Sequence, residues 1–139
     1  MRILLAADGS DYTRRALDYL VMHDWLHPGN TLTVFTVALR LPHRAAAFAG
    51  PDLVHNYYAD DAEQVLRPLR ERLGGSAVEV EYGHVVGHPA EAIARKAESE
   101  QFDLVVMGSH GHGALANLVL GSVATGVLAM CKVPVLLVR

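Results

Sequence analysis

Apolar residues follow one another along this chain in two rhythms. Three stretches are unbroken: Ile3 to Ala7, Leu104 to Met107 and Val133 to Val138. Runs of this length, rich in valine and leucine and bounded by Gly, Asp or Pro, fit strands covered on both faces of a parallel sheet. Thr31 to Val37 and Val78 to Val86 alternate more loosely and are β-branched, which predicts two further strands nearer one edge and makes five.

The second rhythm is helical. Ser10 caps a stripe of Ala16, Leu17, Leu20, Val21 and Trp25, and Pro28-Gly29-Asn30 stops it. Ala62, Leu66, Leu69 and Leu73 share one side of a helix from about Tyr57 to Leu73, ended by Gly74-Gly75 and kinked or broken at Pro68. Pro89 opens a third helix with Ala90, Ile93, Ala94 and Ala97 at helical spacing, and a last one carries Val123, Val127 and Leu128. Residues 38–56 show no period and contain Pro42, Gly50 and Pro51, which predicts a mobile loop over one end of the sheet.

Strands alternating with helices, joined by right-handed crossovers, predict a single-domain α/β fold over residues 1–139. The architecture is a doubly wound five-stranded parallel sheet in the order 3-2-1-4-5 with helices on both faces. In that order strands 1 and 4 are neighbours where the winding reverses. Their following loops diverge to opposite faces there and leave a crevice for a ligand.

Composition removes several classes of function. The chain is 51% hydrophobic and 19% charged, ordinary for a folded protein. A net charge of −3 with scattered Lys and Arg offers no basic face, so nucleic acid is not an expected partner. Cys131 is the single cysteine and is expected as a small buried core residue. The apolar run at Met1 to Ala7 is too short for a signal peptide and no window reaches the length of a membrane span. The expected location is cytoplasmic, without a membrane partner.

The loops at the crevice read Asp8-Gly9-Ser10 and Gly108-Ser109-His110-Gly111-His112-Gly113. The second leads to Gly121-Ser122 at the start of the last helix, where unpaired N–H groups and the positive end of the helix dipole suit a phosphate. Gly111 on one side and Gly121 with Ser122 on the other would hold a triphosphate mainly through backbone donors. The same glycines fit plain turns, with Ser122 as a helix cap and Asp8 as a strand end, and spacing alone gives the two readings equal weight. No Walker-type phosphate loop and no phosphoryl-transfer constellation is present, so no enzymatic activity is expected.

With Ala7-Asp8-Gly9-Ser10, Gly87-His88-Pro89-Ala90, the run from Asp103 to Gly111, Gly121-Ser122-Val123 and Pro134 to Val138, the chain resembles the universal stress protein family along its full length. The nucleotide-binding branch of that family carries Gly, two residues, Gly, nine residues, Gly, then Ser or Thr. Gly108, Gly111, Gly121 and Ser122 meet every position. The resemblance implies an ATP site built from Ala7, Asp8, Gly9, Ser10, Val37, Met107, Gly108, Ser109, His110, Gly111, His112, Gly113, Gly121, Ser122 and Val123. Asp8 would lie near adenine and ribose, Val37 would offer its backbone to the adenine, and Ser109 and Ser122 would supply hydroxyls. Mg2+ bridging the phosphates would find one carboxylate in Asp8.

The resemblance further implies a dimeric regulatory or stress-response module. Its subunits pair through their last strands, and Val133 to Val138 would be a bare apolar edge in a monomer. The alternatives are a dimeric interaction module of the same fold that does not use nucleotide, and a slow ATP hydrolase. Against the former stands the intact motif, since an unused site has no evident need for both Gly111 and Gly121.

One position departs from the family. Members often place Arg or Lys after the second motif glycine, whereas this chain has His112. The phosphate grip is then expected to be weaker and to rise as the histidine protonates. Arg40, His43 and Arg44 either compensate by folding over the phosphates or remain solvated charges. His110 either donates to a phosphate oxygen or packs against its loop. The pairs His84 with His88 and His110 with His112 lack companion ligands, and no dedicated metal site is expected.

Overall fold

The structure, a computed structural model, describes residues 1–113 and 117–139. In chain order the elements are β1 (Arg2–Ala7), α1 (Asp11–Met22), β2 (Thr31–Ala38), α2 (His43–Ala49), α3 (Pro51–Leu73), β3 (Glu79–Val86), α4 (Pro89–Ser99), β4 (Leu104–Gly108), α5 (Ser122–Met130) and β5 (Val135–Val138). The strands pair in parallel in the order β3-β2-β1-β4-β5, as the alternation predicts.

Successive residues of β1 serve two cores. Ile3, Leu5 and Ala7 join Leu17, Leu20, Leu66 and Val106 on the side of α1 and α3. Leu4 and Ala6 join Phe35, Ile93, Val105 and Val127 on the side of α4 and α5. Side chains alternate across a strand, so one with no water on either side must be apolar throughout. Ile3, Leu4 and Leu5 are accordingly all 0% exposed, each contributing roughly 1.5–3 kcal/mol of burial. On the second face α4 and α5 touch at Ala90 and Gly126. A Cβ on Gly126 would stand 2.6 Å from that of Ala90, so the approach needs glycine there.

Several expectations change. Residues 38–56 are largely helical: they hold α2 and the first turns of α3. Neither α2 nor α3 ahead of Ala62 buries a side chain, so no apolar stripe marks them, and Phe48 is 95% exposed. Gly50, at φ 84°, separates the two helices, and Pro51 starts the second at the first helical position, where its missing N–H costs nothing. The helix also runs through Pro68 unbroken. Pro68 and Gln64 are both exposed, so water can take the carbonyl that proline leaves without a donor.

α1 is shorter than its predicted stripe. It ends at Met22, Val21 points outward, and Asp24 at φ 56° turns the chain so that Trp25 folds back on Tyr19. On α5, Val127 is buried but Leu128 is exposed. β5 spans only Val135–Val138, because Pro134 has no N–H for the ladder, and as an edge strand it is half-buried rather than covered on both faces. Cys131 is likewise half-buried, packed at the margin of the second core. No helix among the described residues is long and apolar enough to cross a membrane.

Candidate functional site

The crevice between the ends of β1 and β4 has two walls of different construction. On the β1 side, Gly9 at φ 79° reverses the chain and Ser10 caps α1, its hydroxyl accepting from the Thr13 N–H at 3.4 Å. Asp8 Oδ1 accepts from the Ser10 N–H at 2.9 Å and from the Thr13 hydroxyl at 2.8 Å, and Thr13 Oγ1 in turn accepts from the Asp8 N–H at 3.0 Å. Burial pushes the Asp8 carboxyl up, but the bonds from Ser10 and Thr13, helped by nearby His112, outweigh it and hold the group below the usual carboxylate value. Asp8 is therefore ionised, and its Oδ2 takes none of these bonds.

The β4 side is built by backbone close-packing. Gly108 ends β4 against α1, where a Cβ would collide with the Cβ of Tyr12. Buried Ser109 donates its N–H to Val138 and accepts at its carbonyl from the Gly121 N–H at 2.7 Å. A Cβ on Gly121 would stand 3.1 Å from His110 Cα and 3.7 Å from the Gly111 nitrogen. Gly111 and Gly121 thus face each other directly ahead of α5. Gly121 is the N-cap residue and Ser122 the exposed first helical residue, so Ser122 does not cap the helix. At this helix start the N–H groups of Ser122 and Val123 lie beyond the intrahelical ladder.

His110 is committed within its own loop. Nε2 is 2.8 Å from the Leu118 carbonyl and must be the protonated nitrogen, so Nδ1, at 2.9 Å, accepts from the Ser109 hydroxyl. Of its two expected roles the geometry supports packing, and the Tyr12 ring lies 5.1 Å away. His112 turns inward as well, with Nε2 2.7 Å from the Asp8 carbonyl. A cleft of about 300 Å3 remains outside this contact, lined by Gly9, Ser10, Asp11, Tyr12, Gly111 and His112.

The loop residues from Ala7 to Ser10 and Gly108 to Gly113 therefore meet Gly121 and Ser122 at one end of the sheet. Met107 is buried in the second core, and Val37 and Val123 pack against that core half-exposed. Arg40 is elsewhere, in a groove of about 410 Å3 beside β3 and α4, and His43 and Arg44 are exposed at the start of α2. Among the described residues no three His, Cys, Asp or Glu side chains gather as metal ligands. Thr13 and Tyr12 were not evident from the sequence. An Asp followed by a capping Ser and then a hydroxyl three residues on is the pattern that would have marked Thr13. The glycines also gain structural reasons of their own: Gly108 and Gly121 are required by packing whether or not a nucleotide binds.

The whole chain, residues 1–139, matches the model of the universal stress protein family. The chain belongs to that family. A universal stress protein of Thermus aquaticus is 34% identical over 99% of this chain and 97% of its own length. The solved structure of MJ0577, a universal stress protein of Methanocaldococcus jannaschii, superposes with a TM-score of 0.84 at 28% identity, covering 99% of this chain and 94% of that one. A universal stress protein solved in complex with cAMP superposes with a TM-score of 0.70 at 25% identity, covering 100% and 97%. For a universal stress protein the β1/β4 crevice just described is the natural place to look for a ligand, since the winding reverses there.

Proposed function

We propose that this universal stress protein binds ATP in the β1/β4 crevice and acts as a dimeric, non-enzymatic regulatory module of the stress response. The observation that carries the proposal is the pair of bare backbones, Gly111 and Gly121, facing each other ahead of the N-terminus of α5. Such an arrangement holds phosphate through backbone donors and the helix dipole and needs no side-chain charge. The relative that binds cAMP supports an adenine nucleotide as the ligand class. Asp8 Oδ2 fits one position in the shell of a Mg2+ ion carried in with the phosphates. Pairing of two β5 edges, Val135–Val138, would cover the half-buried apolar strand and form the dimer.

The non-enzymatic part of the proposal rests on commitments already made. Both ring nitrogens of His110 are engaged, which leaves that imidazole unavailable as a general base. A second reading, an interaction module of the same fold without nucleotide, draws support from the packing roles of Gly108 and Gly121. Denaturing freshly purified protein and identifying released nucleotide, followed by an ATP titration, decides between them. Release of adenine nucleotide or saturable binding supports the first. No release and no binding at millimolar ATP leaves the interaction module.

A further inference from the structure

We infer that His112 is a latch across the nucleotide crevice, tying the β4 loop to Asp8, so that a phosphate reaching Gly111 from the β1 side must break the His112–Asp8 contact. The inference rests on the proposed nucleotide site and concerns its regulation.

The two walls belong to segments 104 residues apart in sequence, yet they touch twice. His112 Nε2 lies 2.7 Å from the Asp8 backbone oxygen. A carbonyl only accepts, so the imidazole donates from Nε2. The ring covers Gly9, whose Cβ position is 3.8 Å from Nε2, and the turn at Gly9 brings the Asp8 carbonyl up to meet it. Beside this, Asp8 Oδ2 stands 2.5 Å from where a Cβ of Gly111 would be. An ionised carboxylate thus presses against one of the two glycines offered to the phosphates.

A phosphate group cannot lie between surfaces already in contact, and its charge is repelled by Asp8. A phosphate that approaches Gly111 from the β1 side therefore displaces the Asp8 carboxylate and the His112 ring. His112 is exposed, so breaking its bond costs only what one solvent-accessible hydrogen bond contributes. That corresponds to about threefold to tenfold in a binding constant. The sign is opposite to that of a phosphate-gripping cation. As a latch His112 opposes binding; as a grip it would favour it.

The test compares the full-length wild type with His112→Ala, using ATP, AMP and adenosine as ligands in calorimetry and stopped flow. The latch requires ATP to bind the variant about threefold to tenfold more tightly, chiefly through faster association. The gain shrinks from ATP to AMP and vanishes for adenosine, which has no phosphate to admit. Unchanged or weaker ATP binding by the variant overturns the latch.

A readout without ligand separates this from failure of the nucleotide reading. In the free wild type, nitrogen-detected spectra of the imidazole should show the Nε2–H form, and amide exchange at Gly9 and Gly111 should accelerate in His112→Ala. If neither protein binds ATP but exchange accelerates, the ATP reading falls and takes the latch with it, leaving only a structural tie between the two loops. Unchanged exchange with the other tautomer overturns the latch itself.

Discussion

The two walls of the crevice are made by opposite means. The β1 wall is held by side-chain atoms: Asp8, Ser10 and Thr13 share four hydrogen bonds across six residues. The β4 wall depends on the absence of side-chain atoms at Gly108, Gly111 and Gly121: main chain crowds Gly121, Tyr12 and the His110 carbonyl crowd Gly108, and the Asp8 carboxylate crowds Gly111. Polar bonds fail one at a time and in proportion. Close packing fails abruptly, because an added carbon has nowhere to go when its neighbours are main chain.

Substitutions on each wall put this contrast to the test. Gly108→Val should have the largest effect. Its Cβ would meet Tyr12 and lie 3.0 Å from the His110 carbonyl oxygen, while β5 holds the strand in register through Val138. We expect a loss of about 3 kcal/mol in a denaturant titration. Thr13→Val on the other wall keeps the shape and removes the hydroxyl that serves both the Asp8 N–H and Oδ1. Its expected cost is about 2 kcal/mol, with the fold retained. Equal losses from the two would erase the distinction between the walls.

The smallest effect concerns pH. The folded-state value of Asp8 is depressed, so its stabilisation is present above the ordinary carboxylate range and is lost as pH falls through the folded value. Asp8→Asn keeps an acceptor for Ser10 and Thr13 but cannot titrate. The stability difference between wild type and Asp8→Asn should therefore be constant near neutral pH and shrink below about pH 4, read from denaturation midpoints at each pH. A difference that grows on acidification would mean that Asp8 is not held ionised by its neighbours.

The buried strands were legible because each must be apolar on two faces, as in Ile3 to Ala7, and their order followed from the alternation with helices joined by right-handed crossovers. α2 was not legible, since a helix that buries nothing leaves no stripe to find. The spacing of Gly108, Gly111 and Gly121 pointed to the candidate crevice, but the packing reason for Gly108 lies in Tyr12, on an element contributed by a distant part of the chain. Likewise His112 could be noticed as a departure from its family. Its direction, toward Asp8 rather than toward a phosphate, depends on how two loops meet in space.

The meeting of Ala90 and Gly126 has a mechanical corollary. α5 aims its first amides at the crevice, and the depth to which it seats on the sheet is gauged by one methyl group at the head of α4. That contact is a spacer set away from the loops that line the crevice. Any perturbation of the α4 head would shift the first turn of α5 and, with it, the amides that the proposed nucleotide reading assigns to the phosphates, without touching a residue of the glycine motif.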